Sequence, residues 1–296
     1  MSIGNTGLRI LVFAIGIPLL IVSAFLLPQW GYPVFSALAI IAAGLSAHEA
    51  SLFFPYSIRT YPLSNIALPV IGGVIPFVGY LERQIPNSPG GTFLVTATMM
   101  LVSGVVLAAQ PLKRHAETYP GIIPTVTAHV FLMIYPGLFA WHVIRVTTLP
   151  NASYLIAIFL LATYLNDSAA WLFGRLFGRM TTRPGAPPPV AISPNKSVVG
   201  FIGGFLASPL VMVVAGLLFP HILEGTMTRR ILFGVAIGVA TIFGDLVESA
   251  LKRSASVKDS GDLIPGRGGL LDSIDSPLFA APVFYYGFVI LFTGSV

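Results

Sequence analysis

Apolar residues run along this chain in long blocks separated by short polar or Pro/Gly-rich stretches. The blocks repeatedly reach the roughly 20 residues that a helix needs to cross a bilayer. The pattern predicts helices near residues 8–27, 33–54, 64–81, 92–110, 121–142, 152–173, 199–219, 230–251 and 278–294. The third is the weakest, because Pro69, Gly72, Gly73 and Pro76 would kink or break it unless neighbouring helices or water satisfy the freed backbone groups. The first, Leu8 to Leu27, exceeds the roughly 7–15-residue core of a signal peptide and lacks a clear A-x-A cleavage site, so it reads as a mature helix. The expected fold is all-α, a polytopic integral membrane protein of about nine transmembrane helices. Residues 1–150 hold about five of them, and 151–296 form a C-terminal transmembrane region richer in polar residues.

Placing each basic residue between these spans puts twelve of the sixteen Lys and Arg on the side of the N-terminus and four on the other. The positive-inside rule then predicts a cytoplasmic N-terminus and a polar face turned to the cytoplasm. All six aspartates lie in the second half, in or beside the cytoplasmic ends of predicted helices. A site built from the second half accounts for that skew; folding alone does not.

Composition sharpens the picture at two points. The chain is 55% hydrophobic and 9% charged, against about 25% charged residues in an ordinary soluble domain. Its net charge of +5 fits loops beside anionic lipid better than nucleic-acid binding, which is not expected. The chain has no cysteine, so disulfides, thiolate metal sites and cysteine nucleophiles are excluded and any metal must be held by oxygen or imidazole.

The densest polar stretch runs from Gly244 to Ser276. If the preceding helix continues into it, Asp245, Glu248, Ser249 and Lys252 fall at i, i+3, i+4 and i+7 and share one stripe. Two carboxylates so placed suit a hard cation such as Mg²⁺, whose remaining positions go to water and substrate phosphate. The plain alternative is a helix end with solvated charges. A glycine-rich basic loop, Lys258 to Gly269, follows and contains PGRGG; next comes LLDSID, with Asp272 and Asp275 at i, i+3. Glycines let backbone amides approach an anion, and two further carboxylates would complete a metal–phosphate site.

Two upstream clusters point the same way. Asn166 and Asp167 near a membrane boundary are costly unless partnered, and Arg175 with Arg179 makes a basic face at i, i+4, suited to phosphate or to snorkelling. After a Pro-rich linker, Ser193 or Ser197 would cap the next helix, and Lys196 lies at that helix's positive end. His48, His129 and His142 have no zinc spacing and read as structural or interfacial.

In this order the segments resemble the phosphatidate cytidylyltransferase, or CDP-diacylglycerol synthase, family. The family signature near the C-terminus, S-x-L-K-R followed by K-D, P-G-H-G-G and D-R-x-D, is matched by Ser249–Arg253, Lys258 and Asp259, Pro265–Gly269 and Asp272–Asp275. Its N-D-x-x-A-Y-x-x-G-R-x-x-G run is similar to Asn166–Gly178, and its S-P-K-K-T-x-E-G motif to Ser193–Gly200. Three positions depart: Arg267 replaces a histidine, Ser273 an arginine and Val199 a glutamate.

The resemblance implies transfer of the cytidylyl group of CTP to phosphatidic acid, with a membrane lipid as acceptor and Mg²⁺ as cofactor. It allows a monovalent cation and a homodimer. By the same token Asp245 and Asp272 are expected as metal ligands, with Glu248 and Asp275 as ligands or their support. Lys252, Lys258, Arg253 and Arg267 are expected on phosphates, and the binding set is completed by Asn166, Asp167, Arg175, Ser193, Lys196, Ser197, Ser249, Asp259, Gly268 and Gly269. The alternatives are a CTP-dependent transferase acting on another lipid phosphate or polyprenol and, from a different class, a secondary transporter. The latter is disfavoured by the absence of aspartate from the first half and of any evident internal repeat.

Overall fold

The computed structural model describes residues 5–54, 64–85, 92–112, 116–181, 189–194, 196–264, 266 and 268–294. Helices stand at all the predicted places: α1 (Asn5–Ser23), α2 (Pro33–Ser51), α3 (Ser64–Gln84), α4 (Phe93–Ala109), α5 (Tyr119–Val146), α6 (Ala152–Thr181), α7 (Val198–Leu218), α8 (Met227–Ser254) and α9 (Leu271–Phe288). Among the described residues the sole β-type pairing is an isolated bridge between Ile264 and Gly268. Among the described residues six helices, α2 and α5–α9, are long and apolar enough to cross a membrane. α4 is a 17-residue helix, α3 carries Pro69 and Pro76, and the described apolar part of α1 is Ala14–Ser23.

Two boundaries differ from the hydropathy pattern in ways that matter. α6 runs to Thr181, carrying Asp167 and Arg175 inside the helix. α9 starts at Leu271, seven positions before the predicted 278, so Asp272 and Asp275 lie in its first turns. Pro277 and the two aspartates disguise that start, because proline ordinarily breaks a helix and carboxylates end an apolar run. In α5, Pro136 cannot donate its backbone N–H, and the segment Met133–Leu138 around it widens into a π-helix.

The chain divides into two compact units: Met1–Phe13 with Phe25–Thr148 and Asp259–Asp272, and Ala14–Ala24 with Leu149–Lys258 and Ser273–Val296. In the first unit α2 packs on α3, and both meet the π segment of α5. Ala43, Ala47 and Ala50 are fully buried at i, i+4 and i+7 of α2, the small-residue face that lets membrane helices approach closely. Ile71, Ile75, Val95, Met133 and Trp141 form a core beside it. Glu82, 1% exposed, accepts from the backbone N–H groups of Leu94 (3.0 Å) and Val95 (3.4 Å) and so caps α4.

In the second unit α7 packs against both α6 and α8. Phe284 of α9 meets Phe159 of α6 and Phe233 of α8 at ring-centroid distances of 5.0 and 5.1 Å. A buried polar link runs through this core. The Asn166 amide donates to Ser208 Oγ (3.0 Å) and to the Gly238 carbonyl (3.4 Å), and Ser208 Oγ donates to the Ala162 carbonyl (3.0 Å). α6, α7 and α8 are thereby tied at a place where hydrocarbon offers no substitute partner.

Replacing Asn166 with Ala removes both donations at once. The expected result is a loss of about 1 kcal/mol of stability, read by unfolding in detergent followed through tryptophan fluorescence; a variant as stable as the parent would show that the link carries no stability.

Candidate active site

The polar residues of the second unit gather around Lys196. α8 carries Asp245, Glu248 and Lys252 down one stripe, as the i, i+3, i+7 spacing requires. Glu248 is 1% exposed and pairs with Lys252 one turn on, while Asp245 pairs with Lys196. Asp167, inside α6, accepts from Ser276 Oγ (3.3 Å). Asp275 is buried in α9, its Oδ1 accepting from the Ser276 backbone N–H (2.7 Å). Burial lowers the pKa of Lys196, opposed by the fields of Asp167, Asp275 and Glu248 and reinforced by that of Lys252. Four carboxylates, Asp167, Asp245, Glu248 and Asp275, therefore surround two ammonium groups. Carboxylates gathered in a partly desolvated setting favour a cationic visitor.

All the donors in this cluster that suit a metal are hard oxygens, which fit Mg²⁺ rather than zinc. Among the described residues no three Asp, Glu or His side chains close to the range needed to hold one ion. In this arrangement Lys196 and Lys252 supply the charge compensation instead.

The neighbouring predicted residues divide between structural and exposed roles. Ser197 caps α7, its Oγ accepting from the Gly200 N–H (3.1 Å). Asn166 serves the core link already described. Arg175 is exposed and lies over the Trp171 ring (5.2 Å), and Arg253 is exposed with its guanidinium donating to the Val257 carbonyl (3.2 Å). Ser193 and Ser249 are half-buried, and Lys258 and Asp259 are exposed. The side chains of Arg179 and Arg267 lie outside the described residues.

The glycine-rich segment belongs to the first unit and has a different logic. Ile264 and Gly268 exchange both backbone hydrogen bonds (2.7 and 3.1 Å), closing a tight turn. Asp272 Oδ2 then accepts from the N–H of Gly269 (2.7 Å), the N–H of Ser260 (2.8 Å) and Ser260 Oγ (2.9 Å). The amides of Gly268 and Gly269, expected to approach a phosphate, are thus engaged within the protein. Their glycine identity has a local cause: Gly268 has φ +115°, and a Cβ on Gly269 would overlap Ser260 Oγ and stand 2.5 Å from Glu49 Oε2.

Glu49, noticed in the sequence only as a carboxylate at the end of the second predicted helix, and Ser260 were assigned no role from sequence. Glu49, in the last turn of α2 and 5% exposed, accepts from the N–H groups of Leu270 (2.8 Å) and Leu271 (2.7 Å) and from Ser260 Oγ (3.2 Å). The available signal was a carboxylate at the end of an apolar run, a costly placement without donors nearby. Its partners lie more than 200 positions away in sequence, beyond the reach of any local pattern.

Gly269→Ala has no room for its methyl without displacing Ser260 or Glu49. Its stability is expected to fall by about 1–3 kcal/mol, with faster proteolytic nicking between residues 259 and 272; unchanged nicking would contradict the tight packing described.

Comparisons with known proteins find relatives over most of the chain. A protein of Escherichia coli K12 named uncharacterized protein YnbB is 36% identical over 192 residues, 64% of this chain and 59% of that protein, so the match spans about three fifths of that relative. The phosphatidate cytidylyltransferase of Thermotoga maritima is 32% identical over 201 residues, 66% of this chain and 69% of its own length. That of Staphylococcus aureus strain COL is 33% identical over 218 residues, 72% and 77% respectively. The sequence profile of the cytidylyltransferase family matches residues 7–291, almost the whole length, and the chain belongs to that family.

Proposed function

We propose that this membrane enzyme transfers the cytidylyl group of CTP to phosphatidic acid, forming CDP-diacylglycerol and releasing pyrophosphate. A phosphate oxygen of the lipid attacks the α-phosphorus, a new P–O–P bond forms, and the bond from the α-phosphorus to the bridging oxygen of pyrophosphate breaks. No covalent protein intermediate is needed, so catalysis reduces to positioning and to compensation of phosphate charge. The observation that carries this reading is the gathering of Asp167, Lys196, Asp245, Glu248, Lys252 and Asp275, drawn from separate stretches of sequence, into one charged cluster.

Within that cluster Asp245, Glu248 and Asp275 are the carboxylates from which one or two would hold Mg²⁺, the other positions going to water and substrate phosphate; when bound, the ion would neutralise charge on the nucleotide phosphates. Lys196 and Lys252, paired with Asp245 and Glu248, are the groups that would turn to phosphate oxygens. Asp272, expected from sequence as a ligand, contributes through the turn that its Oδ2 holds together. The excess of basic residues expected on one side supports a reading in which this chemistry runs at the cytoplasmic face of the cell membrane, where CTP is found. A second acceptor, another lipid phosphate or polyprenol phosphate, is favoured by one feature: Ser273, at the motif position usually held by arginine, is 8% exposed and offers no cation there.

Purified protein in detergent, given radiolabelled CTP, phosphatidic acid and Mg²⁺, is expected to move label into the lipid phase and to stop when a chelator is added. Asp245→Asn is expected to lower the rate by about 100-fold or more. Label reaching only a non-diacyl lipid phosphate would select the second acceptor, and no transfer to any lipid phosphate would remove the reading altogether.

The lowered pKa of Lys196 has a sign that can be tested. A rate that needs its ammonium form is present below that pKa and falls as pH rises through it, earlier than an ordinary lysine near 10.5 would give. Lys196→Arg keeps its charge throughout and is expected to carry the alkaline limb of the pH–rate profile upward; an unmoved limb would show that Lys196 does not govern it.

A further inference from the structure

The first unit places a buried carboxylate, Glu49, where the family signature segment folds back on itself. Each of its oxygens is engaged by backbone: Oε1 by the Leu270 N–H (2.8 Å), and Oε2 by the Leu271 N–H (2.7 Å) and Ser260 Oγ (3.2 Å). Leu270 and Leu271 stand at the start of α9, so these are orphan donors that no intrahelical acceptor can satisfy. A carboxylate also meets the positive end of the helix dipole there. Gly261 and Gly269 press against Glu49 so closely that an added Cβ would lie 2.9 Å from Oε1 and 2.5 Å from Oε2 respectively.

Ser260 joins Glu49 to Asp272. Its Oγ lies 3.2 Å from Glu49 Oε2 and 2.9 Å from Asp272 Oδ2, while its N–H donates to Asp272. One hydroxyl proton stands between two carboxylates, and both carboxylates hold backbone of the same stretch. The two acids thus tie Ser260 to Gly269, Leu270 and Leu271, beside glycines that would otherwise make ordering costly.

We propose that Glu49 is a positioning residue for the transfer reaction: its carboxylate fixes the backbone of the glycine-rich segment and the first turn of α9 before the nucleotide arrives. This rests on the cytidylyl-transfer reading above. Glu49 itself, an anion enclosed by donors, does not touch phosphate. Its contribution is to remove an ordering cost from nucleotide binding, so its loss should be felt in KM for CTP more than in kcat.

Glu49→Gln keeps the volume but turns an NH₂ toward donors that need an acceptor. In full-length protein in detergent, amides of residues 259–272 are expected to exchange with deuterium faster. KM for CTP is expected to rise about tenfold, with kcat at saturating CTP changed less than about threefold. Glu82→Gln, which removes a buried glutamate cap from α4, serves as the comparison and is expected to lower stability with no change in KM. An unchanged KM in Glu49→Gln, or an equal rise in Glu82→Gln, would overturn the positioning role. Wild-type protein with no transfer activity would bring down the functional reading instead; the exchange rates would then decide the clamp alone, with unaltered rates in Glu49→Gln overturning it.

Discussion

A carboxylate removed from water must be surrounded by donors or by positive charge, and much of the polar architecture of this protein follows from that requirement. Glu49, Glu82 and Glu248 are each 5% exposed or less, and each is answered differently. Glu82 takes the first amides of α4, Glu49 takes those of α9, and Glu248 takes an ammonium group one helical turn away. Helix starts supply orphan N–H groups where buried acids need them, so caps and charges are solved together.

The same demand separates two kinds of acid in the signature region. Asp272 and Glu49 are engaged by backbone and by Ser260, and they act on the shape of the glycine-rich segment. Asp167, Asp245, Glu248 and Asp275 face Lys196 and Lys252. The first group is satisfied within the fold. The second is answered by lysine side chains instead.

Glycine in the signature acquires a specific cause from this arrangement. A Gly-rich loop beside basic residues suggests amides turned outward to an anion, yet the amides of Gly268 and Gly269 bond to Ile264 and Asp272. The small residues are there because two carboxylates approach the backbone more closely than a Cβ allows.

Hydropathy alone located the helices, because burial in a bilayer imposes a length and an apolar content that any single segment must meet by itself. The α8 stripe of Asp245, Glu248 and Lys252 was equally legible, being a consequence of helical period, and so was the cap made by Ser197. What sequence order left undecided were the early start of α9, hidden by Asp272 and Pro277, and the partners of Glu49 and Asn166. Those depend on which distant backbone groups arrive beside a buried polar atom. Local spacing carries no record of that, because a carboxylate or an amide accepts whichever donor the tertiary packing brings within about 3 Å.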